Sequence, residues 1–254
     1  MTETWVTHLV GSDGAVHTIT IDKPPGNVVD IALCSQLLDA IESAAAADDG
    51  KVLVLRGAGK HFSFGASVEE HLPDKAPEMI GALGAVIRAL IRFPYPTVVG
   101  VQGSCLGGGL ELVLACGIVI AEEDATLACP EIHLGVLPPA ATALLTGRAA
   151  EDVLLTGRSL AAGEAKQIGI VNALAPTGGL DAAVESFVTT HFVPRSALSL
   201  RMATRAIREP GRVELERRLE AAEDLYIGEL LGTHDGVEGI TAFIEKRPPE
   251  WRNA

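Results

Sequence analysis

Gly103-Ser104-Cys105-Leu106-Gly107-Gly108-Gly109-Leu110-Glu111-Leu112-Val113-Leu114-Ala115 follows the β-branched run Thr97-Val98-Val99-Gly100-Val101. The run reads as a buried strand, the glycines as a turn, and Gly109–Ala115 as a helix. A strand, a glycine turn and a helix start together present bare backbone N–H groups to whatever lies above them. Glycine lets another molecule approach that backbone closely, and the carboxylate of Glu111 sits one turn inside. N–H donors beside a proton carrier make half an active site. Taken alone, the segment equally suits tight helix–strand packing. It does not suit a phosphate: G-x-G-x-x-G needs glycine where Leu112 stands, and a P-loop needs Lys-Ser or Lys-Thr after the glycines.

The whole chain narrows the setting. Its 254 residues suffice for one large domain, or one domain with an appendage. Nearly half the residues are hydrophobic but only 4% are aromatic, so the core is built mainly of Ala, Val, Ile and Leu. A formal net charge of −13 argues against nucleic acid or an anionic membrane as partner, since both need a basic surface. Cys34, Cys105, Cys116 and Cys129 lie in apolar segments without a C-x-x-C pair, which favours reduced core thiols over a metal site or disulfides. The N-terminal stretch from Met1 to Trp5 has no apolar leader core, and no apolar run reaches membrane-spanning length, so a cytoplasmic location is expected.

Along the chain, Val16–Ile21 alternates like a half-buried strand, and Val52–Leu55 and Ile118–Ala121 read as short buried strands. Ile31 to about Ala47 and Pro77 to about Phe93 carry apolar positions at helical spacing. Repeated strand–helix alternation with continuous apolar strands indicates an α/β layout with parallel pairing. From about Glu151 the pattern is nearly all helical, with a long charged helix over Val213–Leu231 and a short terminal helix over Gly239–Lys246.

Four blocks in order then resemble the crotonase superfamily of enoyl-CoA hydratases and isomerases. They are His61-Phe62-Ser63-Phe64-Gly65-Ala66-Ser67-Val68-Glu69-Glu70, the Gly103–Glu111 block, Cys129-Pro130-Glu131-Ile132-His133-Leu134-Gly135, and the tract from Leu155-Thr156-Gly157-Arg158 to Gly169-Ile170-Val171. Each is modestly specific alone; their ordered combination is strong. The ending Glu238–Arg247 is also similar to the family's C-terminus. The resemblance implies a ββα-repeat spiral core over residues 1–195 and a helical oligomerisation region over 196–254, assembling a homotrimer or homohexamer.

It also implies a chemistry. The backbone N–H groups of Ala66 and Gly108 would form an oxyanion hole for the thioester oxygen of an acyl-CoA substrate. Glu111 would act mainly as the base that activates water, and Glu131 mainly as the acid that protonates carbon. Family isomerases generally need only the second glutamate, so retention of both favours hydration over isomerisation, and over non-catalytic thioester binding. No cofactor and no metal are implied, since coenzyme A belongs to the substrate.

Departures from the family pattern bear on the acyl group. Ser67 replaces a common Asp, and Cys116-Gly117 replaces the usual Cys-Asp. A glycine-rich loop becomes Leu137-Pro138-Pro139-Ala140-Ala141-Thr142. Two prolines stiffen that loop and added β-carbons narrow it. Phe64, Pro138, Pro139 and Ala140 are therefore the expected acyl-pocket residues, and a compact cyclic dienoyl group is expected ahead of a long chain. His61 and His71 are expected as solvated loop residues, His133 as structural, Lys166 as a surface residue, and Asp13, Asp48 and Asp49 as turn residues.

Overall fold

A computed structural model describes residues 3–254; Met1 and Thr2, part of the stretch read above for a leader, lie outside the described residues. The chain starts with an antiparallel pair, β1 (Val6–Gly11) and β2 (Val16–Ile21). It continues through α1 (Ile31–Ala45), β3 (Val52–Gly57), a 3-10 turn over Val68–His71, α2 (Ala76–Ile91), β4 (Thr97–Val101), β5 (Ser104–Leu106) and α3 (Gly108–Leu114). Next come β6 (Ile118–Glu122), β7 (Thr126–Ala128), a second 3-10 turn over Pro130–Leu134, α4 (Pro139–Leu144) and α5 (Gly147–Thr156). The remainder is β8 (Leu160–Ala161), α6 (Ala162–Gln167), β9 (Ala173–Ala175), α7 (Leu180–His191), α8 (Ala197–Gly228) and α9 (His234–Ile244).

The main sheet has the order β1-β2-β3-β4-β6-β9, parallel from β2 onward. Alternation along its strands divides the core. Leu53, Leu55, Val99, Val101 and Ala121 face α1, α2 and α3 in the larger cluster. Val52, Val54, Val98 and Ile120 face Leu180, Val184 and Val188 of α7 in the smaller one. Both faces are covered, which is why β3 and β4 read as continuous apolar runs. Asp30 caps α1 by accepting from Leu33 N at 2.8 Å. The Glu70 carboxylate reaches back to Ile31 N at 2.9 Å and ties the first 3-10 turn to the same helix end.

The α/β layout and the predicted central elements are present, with ends shifted by at most two residues. The region after Glu151, read as nearly all helical, also holds two short strands: β8 joins a small second sheet and β9 extends the main one. Strands of two or three residues are too short to show a period. The long C-terminal helix also starts sixteen residues earlier than expected and runs through Pro210. Proline removes one helical hydrogen bond, and tertiary contacts on either side hold the helix together. Arg208 donates to the Leu90 and Phe93 carbonyls and to Thr97 Oγ1, and Arg212 pairs with Glu216, which also holds Arg92. The four cysteines are buried and free. Among the described residues, no helix is long and apolar enough to cross a membrane, and no group of three potential metal ligands is gathered.

Candidate active site

The small second sheet builds the site. β5 and β7 pair in parallel, Leu106 opposite Ala128, and Gly107 N donates to Ala128 O at 2.8 Å. The residues leaving these strands at the same end, Gly107-Gly108 and Cys129-Pro130-Glu131, are therefore neighbours. On the other side of β5, Leu106 N donates to Ser63 O at 2.9 Å. That bond brings Phe64-Gly65-Ala66 alongside the glycine turn.

Two glycines make the close approach possible. Gly65 has φ +95°, and a β-carbon there would lie 2.8 Å from Leu106 O. Gly107 has φ +47°, and a β-carbon there would lie 2.5 Å from Glu131 Oε1. Both backbones lie in the left-handed region that L side chains avoid. A β-carbon built on Gly108 would sit only 3.2 Å from the Ala66 nitrogen, so the structure does bring the two expected oxyanion-hole amides together. Neither N–H donates to a protein acceptor among the described residues.

Asn27 holds this arrangement and was not foreseen. It is buried, its Nδ2 donates to the carbonyls of Ala58, His61 and Phe62, and its own carbonyl accepts from Ser63 Oγ at 2.7 Å. Ser63 Oγ in turn accepts from Gly65 N at 3.0 Å. A lone Asn after Pro-Pro-Gly reads as a turn residue; its role depends on a segment some thirty-five residues away.

A cleft of about 430 Å³ opens over these groups. Phe64, Leu106, Leu134 and Val136 give it apolar walls, Glu131 and Gly107 face it, and Phe243 at the end of α9 and Arg247 just after it also border it. The segment 196–254 thus supplies part of the cleft as well as the C-terminal helices. His71 also faces the cleft, correcting the expectation of a solvated loop histidine. It is partly buried, its Nδ1 sits 2.7 Å from Ser67 O, and burial lowers its pKa so that the ring is neutral. His61 is likewise structural, its Nδ1 accepting from Ser104 N at 3.0 Å. His133 meets the Thr156 carbonyl and Lys166 is exposed, as expected.

Glu111 lies behind the glycine turn, 3% exposed. Its Oε1 accepts from Ala140 N at 2.7 Å and Ala141 N at 3.0 Å. Pro138, Pro139 and Ala140, expected beside the acyl group, form the start of a helix rather than an open loop. They do not line the cleft: Pro139 and Ala140 open α4, and with Glu111 they border a separate cavity of about 10 Å³. Proline suits the first position of a helix, whose leading N–H groups need outside acceptors, and Glu111 is that acceptor for α4. Of the four expected acyl-pocket residues, only Phe64 borders the cleft.

Burial pushes the Glu111 carboxyl well above the ordinary carboxylate range, and the Ala141 and Ala140 N–H groups work against that rise. Burial also pushes Glu131 up, and the nearby Glu111 charge pushes it further. The two backbone bonds favour the charge on Glu111, leaving the shared proton on Glu131. With folded-state pKa values raised, the native protein binds more protons than the unfolded chain. Stability from this source is full at low pH and falls as pH rises through the raised values. Glu131→Gln removes one desolvated charge, so its thermal midpoint is expected above wild type at about pH 8 and to converge with it near about pH 5. Each unit of elevation corresponds to about 1.4 kcal/mol. Parallel wild-type and variant melting curves across this range would show that Glu131 carries no such penalty.

Known proteins place this architecture. The enoyl-CoA hydratase/isomerase family profile matches residues 11–254. Cyclohexa-1,5-dienecarbonyl-CoA hydratase of Thauera aromatica is 39% identical over 245 residues, covering 95% of this chain and 94% of that protein. The 2,3-dehydroadipyl-CoA hydratase of Escherichia coli K12 is 31% identical over 259 residues, covering 96% and 98%. An enoyl-CoA hydratase from Mycobacterium avium subsp. paratuberculosis K-10 superposes with a TM-score of 0.86 at 30% identity, covering 98% of each chain. A family profile over nearly the whole chain and a superposition covering 98% of it place the protein: the chain belongs to the enoyl-CoA hydratase/isomerase family, has the crotonase fold, and is a hydro-lyase of the enoyl-CoA hydratase type.

Proposed function

We propose that this enzyme adds water to a cyclic dienoyl thioester, cyclohexa-1,5-diene-1-carbonyl-CoA. The observation that carries the chemistry is the pairing of the Ala66 and Gly108 backbones beside Glu131, with a second carboxyl, Glu111, buried one turn into α3 and held by two backbone N–H groups. The thioester oxygen accepts from both N–H groups. Ionised Glu111 takes a proton from water as the water oxygen bonds to the β-carbon. The displaced electron pair runs through the ring onto the thioester oxygen, where the two amides stabilise the dienolate. Glu131 then gives its proton to the remote ring carbon, and the pair returns to form the new ring double bond. Glu111 has gained one proton and Glu131 has lost one, so exchange with solvent resets the pair.

The choice of a ring rests on two supports. The 39% identical relative is named for this substrate, and the flat Phe64 side chain, 45% exposed, stands beside the Ala66 amide. A general short-chain enoyl-CoA hydratase is the alternative. Isomerisation is less favoured, because one shuttling carboxyl would suffice and Glu111 would keep its buried charge without use. A homotrimer or homohexamer fits the exposed Leu198, Met202, Ile207 and Val213 along α8, which an interface would cover.

The test compares kcat/KM for cyclohexa-1,5-diene-1-carbonyl-CoA, crotonyl-CoA and a long-chain enoyl-CoA. A misfit of one methylene in an apolar pocket discriminates by roughly 10- to 200-fold, and the ring is expected to lead by a factor in that range. A lead for crotonyl-CoA would assign a short-chain hydratase instead. Activity on none of the three would favour a thioester-binding role.

A further inference from the structure

Buried polar atoms in native proteins are nearly always paired, and each exception calls for a reason. Among the described residues, three buried side-chain atoms lack a partner: His17 Nε2, Glu131 Oε2 and the Tyr226 hydroxyl. Two of them belong to one neighbourhood. Tyr226 projects from α8 and is fully buried. Its ring centroid lies 6.2 Å from that of His71, and His71 borders the cleft together with Glu131. Burial, and then the charge of Glu131, hold the proton on the phenol. An unused O–H therefore stands near an unused carboxylate oxygen, and the two are complementary in hydrogen bonding. Phenylalanine would fill nearly the same volume without burying an unpaired hydroxyl, so the hydroxyl costs the free protein stability.

We propose that Tyr226 is a positioning residue for Glu131, its hydroxyl donating to the Glu131 carboxylate directly or through one oxygen held between them. This rests on the reading of Glu131 as the proton donor. Once Glu131 has given its proton to carbon, the remaining carboxylate gains a charge-assisted bond that the neutral acid does not need. The stabilisation grows as the proton leaves, so it lowers the barrier rather than tightening ground-state binding.

The other groups facing this pair leave the donor role open. Glu111 on α3 and Glu223, one turn before Tyr226, are carboxyls. Cys129 keeps its proton through burial, and His71 is neutral through burial. Arg247 is engaged by Glu238 and Glu245, and His133 turns to the Thr156 carbonyl.

The experiment is Tyr226→Phe in the full chain, assayed with the enoyl-CoA that wild type turns over best. The thermal midpoint is expected to stay equal or rise, because an unpaired buried hydroxyl has been removed. kcat is expected to fall by about tenfold or more while KM changes by less than about twofold. Losing a donor to the ionised form raises the Glu131 pKa, so the alkaline limb of the kcat profile should move up by about one pH unit. Infrared titration of the Glu131 carboxyl band, assigned by its loss in Glu131→Gln, should move the same way. A lowered midpoint with an unmoved profile and band would leave Tyr226 as packing and overturn the proposal. If wild type turns over no enoyl-CoA, the proposed function fails, and the infrared titration still decides: an unmoved band in Tyr226→Phe overturns the positioning role.

Discussion

Glu131→Gln is expected to fold normally and to lose roughly 100-fold or more in hydration turnover, the usual scale for deleting a general acid. The amide keeps the side chain's size but has no proton to give to carbon. Glu131 borders the cleft, its pKa is raised by burial and by the Glu111 charge, and it would hold a proton when substrate arrives. Glu111→Gln should lose a comparable factor for the opposite reason. The glutamine oxygen can still accept from Ala140 and Ala141, so α4 should keep its cap. The base that activates water is gone, however. Steady-state rates with folding checked by circular dichroism measure both effects. If one variant keeps hydration while isomerisation appears, the division of roles is wrong. Full activity in both variants would remove the two-carboxyl mechanism.

Gly107→Ala should cost about as much without touching an ionisable group. The new β-carbon would meet Glu131 Oε1 at 2.5 Å, on a backbone already at φ +47°. Either the carboxyl swings aside or the turn that carries the Gly108 amide shifts. A displacement on the order of 1 Å at reacting groups can cost about 100-fold, so kcat should fall by about that factor. The unfavourable φ adds a destabilisation of about 1 kcal/mol or more. Gly65→Ala meets the Leu106 carbonyl rather than a flexible side chain. Its main expected effect is therefore on folding, read as a lower thermal midpoint. Wild-type kinetics in Gly107→Ala would show that the turn and Glu131 are not in register as described.

The elements legible from sequence are those whose signal is local. Thr97–Val101 lies between two covered faces, so its apolar run is unbroken. The turn into α3 needs glycine for steric reasons confined to a few residues. Short blocks also carry the family resemblance that assigns Ala66, Gly108, Glu111 and Glu131 their expected roles, and β5 and β7 bring the blocks around Gly108 and Glu131 side by side. β1, β8 and β9 escaped because an edge strand or a two- or three-residue strand gains its stability from a neighbour rather than from its own pattern.

Other features depend on partners far along the chain. Pro138-Pro139-Ala140 suits a rigid loop and a helix start equally; a carboxylate 29 residues earlier in the chain accepts the Ala140 N–H and makes it the start of α4. Glu209-Pro210-Gly211 looks like a helix boundary, yet Arg208 and Glu216 anchor both sides of it to α2 and its surroundings. His71 and Tyr226 are 155 positions apart and gain meaning only from the 6.2 Å between their rings. Periodicity and turn chemistry are properties of neighbouring residues, so sequence carries the strand–turn–helix unit and its carboxyls. Which polar groups are buried together, and with what protonation, follows from long-range packing that excludes water, and that exists only once the chain has folded.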